Sequence, residues 1–364
     1  MNRRQFVATM AAACSALTFA SKAWSQQAQS IAGVIPADHP LQESWRAWKA
    51  LCLTPEGRVI DGFQNADSHS ESQSYGLTLA AVFDDREAFE SIRVWTEENL
   101  AIRDDALLAW RWRHDQRPHV PDYNNASDGD LFYAWALAAM AERYQRPALL
   151  DRARAIAQDL VRLCSVPHPN GSGLMLLLPA QQGFISDEGL VINPSYYMPR
   201  AMRELAAATG NAALQRLADD GVTLMGQIAE AGLVPDWVTI RADGWGPPPE
   251  RFSFNAGYEA VRVPLFAVWS GTPDHLAVSR FVTATELEPA EDATTIFERA
   301  SGVSLERSPH RGYQAVAGLV ACAASGNVGA AMPAFTTEQP YYPATLHLMA
   351  LVAQAEIYPQ CVPI

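Results

Sequence analysis

Apolar residues recur with a period near 3.6 through much of this chain, a pattern that predicts helices rather than strands. The first predicted helix covers 41–51, with Leu41, Trp45, Trp48 and Leu51 on one stripe. A second begins near Ser72 and carries Tyr75, Leu77, Leu79 and Val82, and its partner over 85–98 ends at Glu97, Glu98 and Asn99. Alanine- and leucine-rich helices follow at 129–144, 147–163, 195–209 and 211–230, then others at 259–269, 274–287, 310–324 and 341–356. A poorer helical pattern lies at 326–333. Short strands are expected at 174–178 and 189–192, without the strand–helix alternation that a parallel sheet requires.

Taken as six pairs, one member of each begins near 72, 129, 195, 259, 310 or 341, and those starts are unusually polar or aromatic. They hold Glu71, Asp128, Asn193 to Tyr197, Glu259, His310-Arg311 and Tyr341-Tyr342. Six such helices in a parallel inner ring, with the other six outside, would place every start on one rim around one groove. An open helical array is the alternative. Helix N-termini stabilise carboxylates through free N–H groups and the positive dipole end. A general acid needs the opposite influence, from burial or neighbouring negative charge.

The N-terminal residues change the picture of where this fold works. Arg3 and Arg4 precede an apolar stretch to Ala20 and then Ala23-Trp24-Ser25, the layout of a twin-arginine export signal over 1–25. The stretch is too short and interrupted to span a bilayer, so no membrane insertion is expected after cleavage. Residues 26–364 show no linker or low-complexity tract and are read as a single catalytic domain, periplasmic or secreted. The formal charge of −13 disfavours nucleic acid and anionic membranes as partners, whereas a neutral polymer meets no such penalty. Cys52, Cys164, Cys322 and Cys361 permit one or two disulfides, with buried free thiols the alternative, and their spacing is not that of a metal site.

Three acids at helix starts are candidates for glycoside chemistry. Breaking a glycosidic bond with inversion takes one carboxyl to protonate the leaving oxygen and another to activate water. Glu71, among Ser70, Ser72, Gln73 and Ser74, is the candidate acid; Glu259, three residues before Arg262, is the candidate base. Asp128 and Asp130 flank Gly129, and Asp128 is read as pointing inward to a sugar hydroxyl, with helix capping as its bland alternative. Aromatic rings cover the C–H faces of sugars. Trp112 and Trp237 are better groove candidates than Trp45 and Trp48, whose spacing fits a core stripe.

The motifs Ser70 to Gly76, Ala126 to Leu131, Asn193 to Tyr197, Pro235-Asp236-Trp237 and Tyr258 to Arg262, in this order, resemble glycoside hydrolase family 8. The resemblance spans most of the exported chain and is strongest to the endoglucanases associated with bacterial cellulose synthesis. It implies an all-α (α/α)6 toroid with minor strands, and inverting hydrolysis of internal β-1,4-glucan bonds. It implies no metal or organic cofactor, and cellulose-synthase machinery as a partner. Glu71 matches the proton donor, Asp128 the aspartate beside the broken bond, and Arg262 the arginine that organises the base. Tyr75, Trp112, Asp130, Tyr196 and Trp237 fall in segments tied to substrate binding. Glu259 stands where the cellulases of the family usually have aspartate. Either Glu259 works after a local adjustment, or another acid such as Asp236 contributes, or activity is impaired. Rival readings are a cellulose-binding accessory protein, a helical polysaccharide lyase, a purely structural helical protein, and a family member acting on xylan, chitosan or mixed-linkage glucan.

Overall fold

The computed structural model describes residues 30–287 and 291–364; the predicted export segment lies outside them. Among the described residues there are eleven α-helices and ten short strands. The helices are α1 (Leu41–Cys52), α2 (Ser70–Val82), α3 (Arg86–Asn99), α4 (Ser127–Arg143), α5 (Pro147–Cys164) and α6 (Pro199–Thr209). They continue with α7 (Ala212–Ala229), α8 (Arg262–Trp269), α9 (Leu276–Leu287), α10 (Arg311–Ser325) and α11 (Tyr341–Ile357). The chain is predominantly helical, as the periodicity predicts.

Burial separates the helices into two kinds. In α2, α4, α8 and α11 nearly every residue is buried, because their sequences are apolar or small all round. In α1, α3, α5 and α7 a single stripe is buried, such as Trp45, Trp48 and Cys52 or Phe89, Ile92 and Trp95. The first group forms the centre and the second packs around it. Two polar ties join first and last elements to the rest. Trp48 of α1 donates its Nε1–H to Thr345 of α11 at 3.0 Å. Elsewhere, Arg200 holds Glu204 at 2.7 Å and Glu356 at 2.6 Å, while Trp135 and Trp269 donate to the same two carboxylates. That network links α4, α6, α8 and α11 with its charges paired, the condition under which buried ions are tolerated.

Three helical expectations are corrected. Residues 194–196 form a separate 3-10 turn and α6 starts only at Pro199. Met198, before that proline, is held extended. The chain therefore descends beside α8, from Ser195 at Arg262 to Arg200, whose N–H meets Ser270 at 3.1 Å. The segment 326–333 is not helical: Gly326 and Gly329 have positive φ, and Ala330 pairs with Pro363 instead. One outer position thus lacks a helix among the described residues, and α10 packs directly on α11. The helix predicted from 259 begins at Arg262, leaving Glu259 on the turn before it.

Strands decorate the helical body. β1 (Ser68–His69) pairs with β2 (Arg111–Trp112), and β3 (Ser165–Pro167) with β4 (Met175–Leu177). A four-stranded antiparallel sheet runs β5 (Ile185–Ser186), β6 (Gly189–Ile192), β7 (Val238–Arg241), β8 (Gly244–Gly246). β9 (Ala293–Phe297) and β10 (Ser304–Ser308) make a hairpin before α10. The expected strands at 174–178 and 189–192 correspond to β4 and β6; the other eight were not anticipated. Cys322 and Cys361 form a disulfide, and Cys52 and Cys164 are buried free thiols. Among the described residues no helix is long and apolar enough to cross a membrane.

Candidate active site

The polar helix starts meet around one side chain. Arg262 opens α8 with only 1% of its surface exposed. Its Nη1 donates to Glu71 Oε2 at 2.7 Å, to the Tyr75 hydroxyl at 2.9 Å and to Asp128 Oδ2 at 3.4 Å. Its Nη2 donates to Ser195 Oγ at 2.7 Å and to Glu259 Oε2. The rings of Tyr196 and Tyr342 lie 5.7 and 5.9 Å from the guanidinium carbon. One fixed cation thus touches a carboxylate from α2, another from α4 and a third from the turn before α8. Its planar fork suits such multiple, directed contacts in a way a lysine ammonium does not.

Glu71 has the electrostatics of an acid. Burial pushes its carboxyl up to about 8 against the pull of Arg262, and the Asp128 and Glu259 carboxylates add to the rise. The helix dipole that would favour its ionisation is outweighed by desolvation and like charge. Tyr341, the first residue of α11, donates its hydroxyl to Glu71 Oε1 at 3.3 Å. Asp128 is also raised, to about 6, chiefly by burial and opposed by Arg262. Its nearness to Glu71 depends on Gly129: a Cβ there would stand 2.3 Å from Ser70 Oγ and 2.7 Å from the Ser70 carbonyl carbon. Ser74 seals the same contact by donating to the Gly129 carbonyl at 2.7 Å.

Glu259 is the most accessible of the three, with 35% of its side chain exposed. Asn193 donates its side-chain N–H to Glu259 Oε2 at 3.1 Å and Ser195 its hydroxyl at 3.4 Å. The backbone beneath is held by Asp236, whose Oδ1 accepts the N–H groups of Gly257, Glu259 and Ala260 at 2.9, 3.1 and 2.8 Å. A Cβ on Gly257 would stand 2.6 Å from Asp236 Oδ2. Asp236 is therefore committed to shaping the turn that carries Glu259. On the outer side, Tyr342 donates its hydroxyl to the Tyr258 carbonyl at 2.5 Å, and the Tyr258 hydroxyl is bonded to Glu306 of β10.

An open cleft of about 440 Å³ leads away from these groups, lined by Glu71, Glu259, Tyr258, Tyr342, His310 and Phe63 among others. That size falls within the range of small-molecule sites, roughly 300–1,000 Å³. The cleft joins the starts of α2, α10 and α11 to the turn before α8, and Arg262 ties in Asp128 of α4 and Ser195 of the 3-10 turn, so five of the six expected helix starts meet here and a turn replaces the sixth.

The other expected substrate contacts divide. Tyr196 is half-buried beside Arg262, and Trp237 lies one ring further out, 6.1 Å from Tyr196 and stacked on Phe252 at 4.4 Å. Trp112 is half-buried and held by protein neighbours: His119 stacks on it at 4.0 Å, Trp95 meets it edge-on and Arg58 lies 5.0 Å from its centre. Tyr75 is wholly buried and meets Arg262 one turn below Glu71, so it positions the guanidinium instead of facing a sugar. Asp130 is corrected outright. It is fully buried, with one oxygen accepting the Leu108 N–H at 2.7 Å and the other the Asn125 amide at 2.9 Å. Two residues round a helix from Asp128, it points about 200° away.

Asn193, Ser195, Tyr341, Tyr342 and Asp236 complete the site. The first four lie at helix or turn starts whose polarity was visible in the sequence, but the direction of each side chain was not. Asp236 was expected only as an alternative acid; its carboxylate instead accepts backbone N–H groups of the turn that carries Glu259.

Comparison with known proteins accords with this geometry. The family model "Glycosyl hydrolases family 8" matches residues 8–356. A probable endoglucanase of Novacetimonas hansenii is 33% identical over 340 residues, covering 88% of this chain and 93% of that protein. Among solved structures, endoglucanase Cel10 of Klebsiella pneumoniae, a family 8 glycosyl hydrolase, aligns with a TM-score of 0.76 at 28% identity, covering 86% of this chain and 99% of its own. An endoglucanase from Komagataeibacter sucrofermentans aligns with a TM-score of 0.74 at 31% identity, covering 86% and 97%. With the match extending over nearly the whole sequence and the carboxylates gathered at the rim of a helical barrel, this chain belongs to glycosyl hydrolase family 8.

Proposed function

We propose that this chain cuts internal bonds of β-1,4-linked glucan in a single displacement that inverts the anomeric centre. One observation carries the reading: a buried guanidinium gathers Glu71, Asp128 and Glu259 at the head of an open cleft, and Glu71 keeps its proton to about pH 8. Inversion calls for a protonated carboxyl and a carboxylate on opposite faces of the sugar, roughly 6.5–9.5 Å apart. Glu71 gives its proton to the glycosidic oxygen. Glu259 takes a proton from water, whose oxygen bonds to the anomeric carbon as the bond to the leaving sugar breaks.

Asp128 accepts a hydroxyl of the ring beside the broken bond. Arg262 answers the charge that appears on Glu71 as its proton leaves, through a contact already 2.7 Å long. Such a preformed donor stabilises the transition state without reorganising. The endoglucanase names of the Novacetimonas and Klebsiella proteins support glucan as the polymer. The twin-arginine pattern over 1–25 supports action outside the cytoplasm, in the periplasm or beyond. Partnership with cellulose-synthesising machinery is part of the proposal and rests on the resemblance of the motifs.

The test is digestion of cello-, xylo- and chitosan oligosaccharides of defined length, with mixed-linkage glucan alongside, read by product mass. Mid-chain cleavage of the cello series supports the reading. Saturable binding without new reducing ends would make the chain an accessory protein, and cleavage confined to xylan or chitosan would move it to another substrate.

A further inference from the structure

Phe63 presents the most exposed aromatic ring among the described residues, at 70%, and it does so inside the cleft that begins at Glu71 and Glu259. Nothing in the core requires that exposure. The turn beneath the ring is nonetheless closely built. Asp61, 4% exposed, accepts the Phe63 N–H at 3.0 Å and the Gln64 side-chain N–H at 3.0 Å. Its own N–H meets the Asp67 carbonyl at 3.0 Å, and its carbonyl accepts the N–H groups of Gln64 and Ala66 at 3.1 Å each. Arg58 anchors the Ala66 carbonyl at 2.5 Å, and Arg111 clamps Asp67 at 2.6 Å.

To close this turn, Asn65 and Ala66 both take left-handed backbone, with φ of 56° and 57°. Left-handed backbone costs about 1–2 kcal/mol at an ordinary residue, and Ala66 has no polar side chain to offset it. A rigid, strained support that carries an apolar ring into solvent points to a use for the ring. Beside it in the cleft lining, the His310 ring stands 6.1 Å from Phe63 at 47°, with no hydrogen-bond partner for its ring nitrogens among the described residues. A flat apolar surface beside a polar ring is the combination that takes a sugar, C–H faces on one and hydroxyls on the other.

The direction follows from which neighbours of Arg262 line the cleft: Asp128 and Tyr196 approach it outside the cleft lining, whereas Tyr342 approaches it from the cleft flank, where Tyr258, His310 and Phe63 also lie. Resting on the proposed hydrolase reading, in which Asp128 holds the ring that becomes the new reducing end, the Phe63 flank receives the leaving portion of the chain. We infer that Phe63 is a stacking platform for a distal glucosyl residue of that portion, with His310 binding its hydroxyls, so that this chain favours glucans long enough to reach it.

The experiment compares wild type, Phe63→Ala and Phe63→Trp on cellotriose through cellohexaose, with reducing-end-labelled hexaose to locate each cut. Wild-type kcat/KM is expected to rise with length. Phe63→Ala should remove about tenfold of that gain on the hexaose through KM, leave the shortest cleaved substrate unchanged, and shift cuts towards shorter leaving fragments. Phe63→Trp should restore the wild-type pattern. An unchanged length dependence in Phe63→Ala, or an equal loss at every length, overturns the inference. A wild-type protein that cleaves none of these sugars would refute the hydrolase reading. Calorimetric binding of cellohexaose to wild type and Phe63→Ala then decides the platform separately, with equal affinities overturning it.

Discussion

Replacing Glu71 by glutamine should make the protein more stable while abolishing its chemistry, and the stabilisation should depend on pH. In the folded chain the Glu71 carboxyl is held up to about 8, from 4.5 ordinarily, so the folded state binds its proton more tightly than the unfolded state does. A group raised in this way contributes stability that is fully present below its unfolded value and lost as pH climbs through the folded one. Each unit of separation corresponds to about 1.4 kcal/mol. With 23% of the side chain open to solvent, the realised loss between pH 4.5 and 8 should be on the order of 2–4 kcal/mol. The glutamine side chain of the Glu71→Gln variant carries no ionisable group and can still accept from Arg262. Urea unfolding of both proteins at pH 4, 6, 7 and 9 reads the difference directly, because most other titrating groups are common to both and cancel. The variant should match wild type near pH 4, gain steadily, and level off above about pH 8. A difference that is flat with pH, or that favours wild type at pH 9, would refute the assignment of a raised carboxyl at this position.

Arg262→Met should fold poorly or lose about 3–5 kcal/mol, since it strands Asp128, Glu259 and the Glu71 carboxyl, which share one cation; a thermal midpoint equal to wild type would contradict that. Gly257→Ala should drop kcat at least tenfold with little effect on KM, because its Cβ meets Asp236 at 2.6 Å and displaces the turn under Glu259. Steady-state kinetics on cellohexaose checks the split. Reducing the Cys322–Cys361 bridge, which closes a separation of 39 residues, should cost about 3–4 kcal/mol in denaturant unfolding. The buried Cys52 and Cys164 thiols, both pushed up to about 12, should resist alkylation in the native protein.

The inner helices were legible because burial on all sides leaves a plain mark: α2, α4 and α11 are apolar or small nearly throughout, and their polar starts stand out. Glu71 and Glu259 were found by chemistry at those starts together with a resemblance in motif order. What the sequence could not convey was side-chain direction. Asp130 sits two residues from Asp128 and belongs to a different face, and Tyr75, four residues from Glu71, shares its face but lies one turn deeper. The roles of Asp236 and Tyr342 depend on backbone brought near from distant elements, so no local pattern announces them. Pro199 moved the start of α6, and Gly326 with Gly329 removed a helix from 326–333; both signals were present and were outweighed by apolar periodicity. The β9–β10 hairpin is too short and irregular in register for alternation to reveal it.

The central claim is that Glu71 and Glu259 act across one cleft on opposite faces of the same sugar. Proton NMR of cellohexaose digestion, recorded before mutarotation equilibrates the products, tests it most directly. Hydrolysis by this geometry predicts that the newly formed reducing ends are α at the earliest times. New reducing ends that are initially β would contradict the single-displacement account and the roles given to both carboxylates.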